Sequence, residues 1–295
     1  MENAITIVEA TEPTFRAGAD NDQRLIELWL HGRPDTTQLS YRGTADRFLA
    51  CVPKSLHQVT LSDLQAFADS LDVAGLQPGT RRKVLAGVKS LFSFGHRIGY
   101  LPFDTAEPLR LPPLRDTLAE RVIDESALLR MIDLEPSVRN AAMLALMYAA
   151  GLRASELVTL RWRDCQPRTN GHGQITVLGK GSKTRTILIP ASVFTRVMLL
   201  RDGAVDDAYV FASRKAGGPM NTSHLLRITK RAARRAGIAR SVRNHDLRHS
   251  HCTHSLERGA PIHLVQQTVG HASISTTGRY LHARPNDSSS RYLPI

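Results

Sequence analysis

The sequence has only three cysteines, and they are widely spaced at Cys51, Cys165 and Cys252. None belongs to a CxxC pair, so the sequence predicts neither a zinc ribbon nor a disulfide framework, and a reducing compartment fits. No apolar run approaches the roughly 18 residues that a membrane-spanning helix requires. The start of the chain, Met1 to Ala4, lacks the basic region and long apolar core of an export signal. We therefore expect a soluble, cytoplasmic protein without a membrane partner.

Negative charge is also scarce. The chain has 27 Asp and Glu against 39 Lys and Arg, which gives a formal net charge of +12. This excess favours a polyanionic partner, and basic residues clustered within helical patterns favour nucleic acid over a membrane surface. Composition alone leaves open a basic protein without such a partner. The chain has no P-loop and no paired-carboxylate metal site in a matching context, so no cofactor or metal is predicted.

The first part of the chain is predicted to be helical. Residues 1–20 show no clear hydrophobic period and are interpreted as a flexible N-terminal arm. Residues 21–105 contain four helical patterns. The third begins with a capping pair, Thr60 and Asp63, and the fourth begins near Thr80 after a predicted loop, Gly75–Gly79. The fourth helix carries candidate phosphate contacts, with a solvated charged face as the alternative: Arg81, Arg82, Lys83 and Lys89.

Prolines then mark a domain boundary. Pro108, Pro112 and Pro113 disfavour helix, so residues 106–118 are interpreted as a Pro-rich linker. Residues 119–284 are predicted to form an α-rich domain, in which Val138–Ala150 is apolar nearly all round, as a central buried helix is. Residues 285–295 form a polar C-terminal tail.

A small antiparallel sheet is expected inside this domain. Gln174–Leu178 and Thr186–Ile189 are β-prone runs that flank Gly179–Lys183, so they are predicted to form a hairpin with a basic tip. A helix from about Asn221 follows, and one of its surfaces carries four further candidates for nucleic-acid contact: Lys230, Arg231, Arg234 and Arg235.

Residues suited to attack on a phosphodiester gather in the last third of the chain. His245 and Arg248 are three apart, so on a helix they share one face and both can reach one anion. Asp246 between them suits the first turn of that helix, where a carboxylate is favoured by the helix dipole.

His271 and Tyr280 lie further along the same segment. They are nine apart, which would put them on opposite faces of a single helix. If both act on one group, the helix must break between them. Gly270 suits a helix C-terminal cap, and Ser273 or Ser275 suits the start of the next helix. His271 is therefore predicted in a turn, with Tyr280 carried by the short helix after it.

These residues occur in an order and spacing that resemble the tyrosine recombinases, or phage integrase family. The matching pieces are Arg153, Gly179-Lys180-Gly181, His245-x-x-Arg248, Gly270-His271 and Tyr280. Thr253-His254 and the run from Gly270 to Thr277 are most similar to the Xer branch. The resemblance implies a mainly α protein, with an N-terminal helical core-binding domain for DNA and an α-rich catalytic domain that includes a small antiparallel β-sheet.

The resemblance also implies roles for the charged residues. Arg153 and Arg248 would clamp the non-bridging oxygens of the scissile phosphate, where charge concentrates in phosphoryl transfer. Lys180 would be the general acid for the departing 5′-oxygen; Lys183 on the same loop is the alternative, and the position between two glycines favours Lys180. Glu156 would orient Arg153 or a histidine.

Tyr280 would then be the nucleophile that forms a 3′-phosphotyrosyl link and frees a 5′-hydroxyl. His245 would assist proton transfer from Tyr280, and His271 would donate to the phosphate. Rejoining would need neither ATP nor a metal, because the phosphotyrosine preserves the energy of the phosphodiester. The implied partners are double-stranded DNA and further copies of the chain, as a tetramer on synapsed sites; a second recombinase remains open.

Local sequence leaves simpler interpretations open. Arg153 could be a surface residue paired with Glu156, and Tyr280 could be a half-buried packing residue. His245 and His249 are four apart, a spacing that zinc ligands also use, but no acidic or cysteine partner is spaced to complete a site. Two other functions remain open. A type IB topoisomerase uses the same residue types for its chemistry, and a non-catalytic DNA-binding regulator would have the same positive charge.

Overall fold

The computed structural model describes residues 18–179, 183–214 and 217–281. The chain divides into two compact units between Arg115 and Asp116, inside the segment 106–118 that the prolines mark as a linker. The fold is mainly α with one small antiparallel sheet, which confirms the predicted fold class. Within the described ranges, no helix is both long enough and apolar enough to cross a membrane.

Aromatic side chains fill the core of the first unit. Phe48 meets Phe67 and Phe92 edge to face, with ring centroids 5.1 and 5.8 Å apart, and Trp29 belongs to the same buried cluster. Such edge-to-face pairs add to the stabilisation that burial already provides. The helices that supply this core are α1 (Asp22–Leu30), α2 (Asp35–Cys51), α3 (Leu61–Val73) and α4 (Pro78–Arg97).

A local capping signal locates the start of α3, whereas the start of α4 differs from the prediction. Thr60 and Asp63 form the predicted capping box at the start of α3. The predicted loop Gly75–Gly79 is two residues too long, because α4 already begins at Pro78. Proline is favoured at the first helical position, where its fixed φ suits the helix and its missing N–H would have no helical partner.

Helix α7 is the centre of the second unit. Its observed bounds, Val138–Ala150, are the predicted ones, and eight of its 13 residues are buried. The helix ends at Gly151, whose φ of 56° is left-handed; a Cβ there would lie 2.8 Å from side-chain atoms of both His251 and Val269, so only glycine fits. The other helices are α5 (Leu118–Arg121), α6 (Glu125–Asp133), α8 (Ala154–Thr159), α9 (Ala191–Met198), α10 (Thr222–Arg235), α11 (Asn244–Glu257), α12 (Ile262–Val269) and α13 (Ile274–Gly278).

The sheet has three antiparallel strands in the order β1-β2-β3: Cys165–Pro167, Gly173–Leu178 and Thr184–Ile189. Ile175 of β2 is opposite both Cys165 and Ile187. The sequence predicted β2 and β3 but not β1, because a strand of three residues is too short to show a period. In β3 the inward positions are Arg185, Ile187 and Ile189, which alternate with exposed residues.

Candidate active site

The site begins where α7 ends. Gly151 turns the chain into α8, and Arg153 lies at the N-cap of that helix. Glu156, in the first turn of α8, accepts from the backbone N–H of Arg153 at 2.8 Å and from its Nη1 at 2.7 Å. The Arg153 side chain is 31% exposed, and its Nη2 donates to the carbonyl of Gly270 at 3.1 Å. Arg153 is therefore held at the edge of the site with part of its guanidinium open to solvent.

Glu156 also binds a second arginine that the sequence analysis missed. Arg185 of β3 donates from Nη1 to Oε1 at 2.9 Å and from Nη2 to Oε2 at 2.8 Å. Burial alone would raise the pKa of Glu156, but hydrogen bonds from Arg185 and Arg153 lower it below its usual value, so the carboxylate is charged. Glu156 thus holds Arg153 by two hydrogen bonds; in the described part of the chain its hydrogen-bond partners are arginines and not histidines.

Arg248 lies beneath the site and is fully buried at 0% exposure. Its Nη1 donates to the carbonyl of Gly151 at 2.7 Å and its Nη2 to that of Val269 at 2.5 Å. Burial and the nearby Arg153 lower the pKa of Arg248 to about 10, which still leaves it charged at pH 7. Its Nε is buried and has no hydrogen-bond partner among the described residues. A buried cation with an unused donor is suited to an incoming anion.

His271 lies in the turn between α12 and α13, as predicted. Gly270 ends α12 with a φ of 66°, and Ser273 caps α13, accepting from the N–H of Ser275. The Nδ1 of His271 is 2.9 Å from the hydroxyl of Thr277. Burial, followed by the charges of two arginines, lowers the pKa of His271 to about 4, so the ring is neutral at pH 7.

Tyr280 follows α13 by two residues and is 4% exposed. Its hydroxyl is 2.7 Å from Nδ1 of His249, and its ring lies parallel to that of His271, with centroids 6.0 Å apart. Burial raises the pKa of the Tyr280 phenol, and burial next to His245 lowers the pKa of His249 to about 3. Both groups are neutral at pH 7, and a hydrogen bond joins the phenol to the imidazole.

This arrangement differs from the predicted proton path. His245 was the predicted partner of Tyr280, but His249 makes the contact, and His245 is exposed with its ring perpendicular to His249 at 4.4 Å. The 100° step per residue brings both histidines to neighbouring positions of α11, and packing of Tyr280 decides which one it meets. In the sequence, the spacing of four between His245 and His249 was interpreted only as a possible pair of zinc ligands. Within the described ranges, His, Cys, Asp and Glu form no group of three or more that could hold a metal ion.

The loop that carries the predicted general acid is described only at its base. Lys180 lies outside the described residues, as do the two that follow it. Gly179 donates its N–H to the carbonyl of Lys183 at 2.8 Å, which closes the loop where β2 ends and β3 begins. Lys183 is exposed.

Most of the candidate basic residues of α10 lie at the protein surface. Lys230, Arg231 and Arg234 are exposed and line a surface concavity together with Arg227 and His224, which the sequence analysis did not single out. Arg227 precedes Lys230 by three residues and Arg231 by four, so the helical period places it on the same surface. The remaining candidate, Arg235, instead pairs with the buried Glu135.

Most of the α4 side chains that were predicted to contact DNA bind protein groups of the first unit. Lys89 donates to the carbonyls of Ala106, Glu107 and Leu109 at 2.7, 2.5 and 2.9 Å, which uses all three of its protons. In this structure the Lys89 ammonium therefore has no proton left for a DNA phosphate. Arg82 binds the carbonyl of Pro112 at 2.8 Å and Arg81 pairs with Asp72, whereas Lys83 is exposed.

Comparison with known proteins identifies the family of this chain. The sequence profile described as "Phage integrase family" matches residues 121–287. The tyrosine recombinase XerD of Pseudomonas putida is 34% identical over 283 residues, which is 88% of this chain and 91% of that protein.

Two solved structures share the fold. One is the XerH site-specific recombinase bound to its difH substrate in a pre-cleavage complex, with a TM-score of 0.69, 21% identity and coverage of 88% of this chain and 81% of that one. The other is a lambda integrase tetramer bound to a Holliday junction, with a TM-score of 0.68, 14% identity and coverage of 87% and 79%. The profile match and the identity with XerD together show that the chain belongs to the phage integrase family of tyrosine recombinases, in its Xer-like branch.

Proposed function

We propose that this protein is a site-specific recombinase that cuts and rejoins duplex DNA through a 3′-phosphotyrosyl intermediate, without ATP or a metal. The observation that carries the proposal is the assembly of Arg153, Arg248, His271 and Tyr280 in one place, although they come from separate segments of the chain. Hydrogen bonds to the carbonyls of residues 151, 269 and 270 tie these segments together.

The charge of the site suits a phosphodiester. Three guanidiniums, of Arg153, Arg185 and Arg248, lie around the single carboxylate of Glu156, so positive charge remains for an anion. Arg153 presents its exposed part to the phosphate, and the buried Arg248 contributes charge in a region of low dielectric, where it acts more strongly. The Nδ1 of His271 is hydrogen-bonded to Thr277, which leaves Nε2 to bind a phosphate oxygen.

The nucleophile needs a base, because the pKa of the Tyr280 phenol is raised. As the Tyr280 oxygen bonds to phosphorus and the bond to the 5′-oxygen breaks, the phenol proton passes to the histidine pair of α11, with His249 as the hydrogen-bond partner of the phenol and His245 as the proposed acceptor. The 5′-oxygen takes up a proton, for which Lys180 is the proposed donor. In rejoining, the 5′-hydroxyl attacks the phosphotyrosine and the same transfers run in reverse, so no external energy source is required.

DNA binding is proposed to use the exposed basic surface of α10. Lys230, Arg231 and Arg234, together with Arg227, would contact phosphates and make binding steeply salt-dependent. Lys83 of α4 is a further phosphate contact. The acting form is proposed to be a homotetramer on two synapsed sites in the cytoplasm, and the tail 285–295, which lies outside the described residues, is proposed to support synapsis.

Covalent trapping tests the function directly. Duplexes from DNA flanking the gene, each nicked so that the cleaved strand releases a short fragment, are incubated with the full chain and separated under denaturing conditions. We expect a covalent adduct at one site with the wild type and none with Tyr280→Phe, which keeps the ring. Both proteins should bind that site equally in a gel-shift assay.

The alternatives give different results in the same experiments. Relaxation of supercoiled DNA without site preference would indicate a type IB topoisomerase. Specific binding without any adduct, on every nicked duplex, would indicate a regulator and contradict the proposed activity.

A further inference from the structure

One buried threonine is hydrogen-bonded to both the proposed phosphate donor and the proposed nucleophile. Thr277 of α13 is 0% exposed, its hydroxyl is 2.9 Å from Nδ1 of His271, and its carbonyl accepts the backbone N–H of Tyr280 at 3.0 Å. We propose that Thr277 is a positioning residue whose hydroxyl donates to Nδ1 of His271 and so places the imidazole proton on Nε2, the nitrogen that binds the phosphate. The inference rests on the proposed function, which assigns His271 to the phosphate.

The burial of Thr277 fixes the direction of this hydrogen bond. A hydroxyl has one proton to donate, and a neutral imidazole has one nitrogen that donates and one that accepts. If Nδ1 of His271 carried the proton and donated to Thr277, the hydroxyl proton would need another acceptor. In the described part of the chain, His271 is the one hydrogen-bond partner of this hydroxyl. A buried donor without an acceptor costs free energy, so the hydroxyl donates and Nδ1 accepts.

The charge state of His271 agrees with this direction. Burial, followed by the charges of Arg248 and Arg153, lowers its pKa to about 4, so at pH 7 only one ring nitrogen carries a proton. Because Nδ1 accepts from Thr277, that proton is on Nε2. His271 therefore meets a phosphate as a neutral hydrogen-bond donor, which stabilises the charge that develops on the phosphate oxygens.

The same contacts fix where the ring lies. The backbone of His271 is held by Gln266, whose carbonyl accepts its N–H and whose Nε2 donates to its carbonyl, both at 3.2 Å. With the backbone held there, the bond to Thr277 sets the rotation of the ring, which is 9° from parallel to the ring of Tyr280. Since Thr277 also accepts the N–H of Tyr280, it links the orientation of the donor to the segment that carries the nucleophile.

The test removes the hydroxyl and keeps the shape of the side chain. Thr277→Val replaces the hydroxyl with a methyl group, and Thr277→Ser retains the hydroxyl. Thr229→Val is the matched control: Thr229 is also 0% exposed in the same unit, and its hydroxyl donates to Oδ1 of Asn244 at 2.8 Å. This control loses one buried hydrogen bond that does not involve His271. His271→Ala is the reference, and thermal melts report folding.

Nitrogen NMR of the histidine-labelled full chain without DNA tests the direction of the hydrogen bond. At pH 7 the spectra distinguish a protonated ring nitrogen from an unprotonated one, and His271→Ala identifies the signals of His271. We expect a protonated Nε2 in the wild type and in Thr277→Ser. In Thr277→Val the Nδ1 signal should shift, because this nitrogen loses its donor, whereas Thr229→Val should leave it in place. A protonated Nδ1 in the wild type would overturn the proposal, whether or not the variants fold.

Cleavage kinetics test whether Thr277 acts through His271. Single-turnover cleavage of the nicked site should be about tenfold slower in Thr277→Val than in the wild type, the low end of the loss seen when partners that orient metal-bound histidines are removed. Thr277→Ser and Thr229→Val should cleave at the wild-type rate. Combined with His271→Ala, Thr277→Val should cause no further slowing, since the ring that it positions is gone.

Equal slowing by Thr277→Val with and without the imidazole of His271 would indicate a general structural role and would overturn the proposal. A wild-type rate in Thr277→Val would do the same. Failure of the wild type to cleave at any site would instead overturn the proposed function, and the NMR spectra of the DNA-free chain would still decide the hydrogen bond, so the two failures are distinguishable.

Discussion

The hydroxyl of Tyr280 is 2.7 Å from Nδ1 of His249, one turn of α11 beyond the histidine that the family pattern highlights. Both groups are buried and neutral at pH 7, because the pKa of His249 is lowered to about 3 and that of the phenol is raised. The phenol of the nucleophile is thus hydrogen-bonded to a neutral imidazole at a buried position.

His249 and Tyr280 should be energetically coupled. His249→Ala leaves the buried phenol without this partner, which is expected to lower the free energy of unfolding by about 1–3 kcal/mol. Combining it with Tyr280→Phe should cost less than the sum of the single changes, by about 0.5–3 kcal/mol. Urea denaturation of the full chain and its three variants, followed by fluorescence, measures the coupling. Additive effects would mean that the contact contributes nothing to stability.

Stability should fall in mild acid. The pKa values of His249, His251 and His271 are lowered to about 3, 4 and 4, whereas in the unfolded chain they return towards 6.5. The unfolded state therefore binds more protons between about pH 6.5 and pH 4, so stability present above pH 6.5 is lost as pH falls, by at most about 1.4 kcal/mol per pH unit for each histidine.

Urea midpoints at pH 7.5, 6.5, 5.5 and 4.5 measure this loss. The lowered pKa of Asp63, about 2, acts only at lower pH and does not confuse the result. His249→Gln should reduce the slope, and a midpoint constant from pH 7.5 to 5 would contradict the assignment of neutral buried imidazoles.

Glu156→Gln should damage both stability and cleavage. An amide leaves Arg153 and Arg185 without their shared counter-charge, and breaking a buried ion pair costs about 3–5 kcal/mol. Covalent trapping should drop with it, since Arg153 loses its orientation. The matched control is Asp133→Asn, an exposed carboxylate 3.9 Å from Arg196, which should change stability by about 1 kcal/mol or less. Similar effects of the two substitutions would contradict a special role for Glu156.

Lys230 and Lys89 should behave differently although both looked like DNA contacts in the sequence. Lys230→Ala should weaken DNA binding at all sequences and reduce the slope of log affinity against log salt by about 1. Lys89→Ala should leave that slope unchanged and lower the urea midpoint, because it frees three carbonyls of the first unit. Equal changes in the salt slope would restore Lys89 as a phosphate contact. Fluorescence anisotropy between 50 and 200 mM salt, the range over which such affinities change most visibly, measures the slopes.

Features that depend on neighbouring residues were predictable. The bounds of α7, the Thr60 and Asp63 capping box, and the break at Gly270 that leaves His271 in a turn all follow from period and capping preference over a few residues. β1 was not predictable, because three residues carry no period, and its pairing with β2 is a tertiary event. Lys89 was assigned to DNA because charge on a helix does not reveal which carbonyls pack beside it.

The sequence by itself determined the family, the fold class and the residue types of the site, since ordered motifs and local periodicity are written along the chain. Tertiary structure decided the contacts: that Arg248 binds the carbonyls of Gly151 and Val269, that Arg185 shares Glu156 with Arg153, and that Tyr280 meets His249. These partners lie 21 to 97 residues apart in the chain. Only the packing of α7, α11, α12 and β3 against one another brings them within hydrogen-bond distance, because no short-range preference acts over such separations.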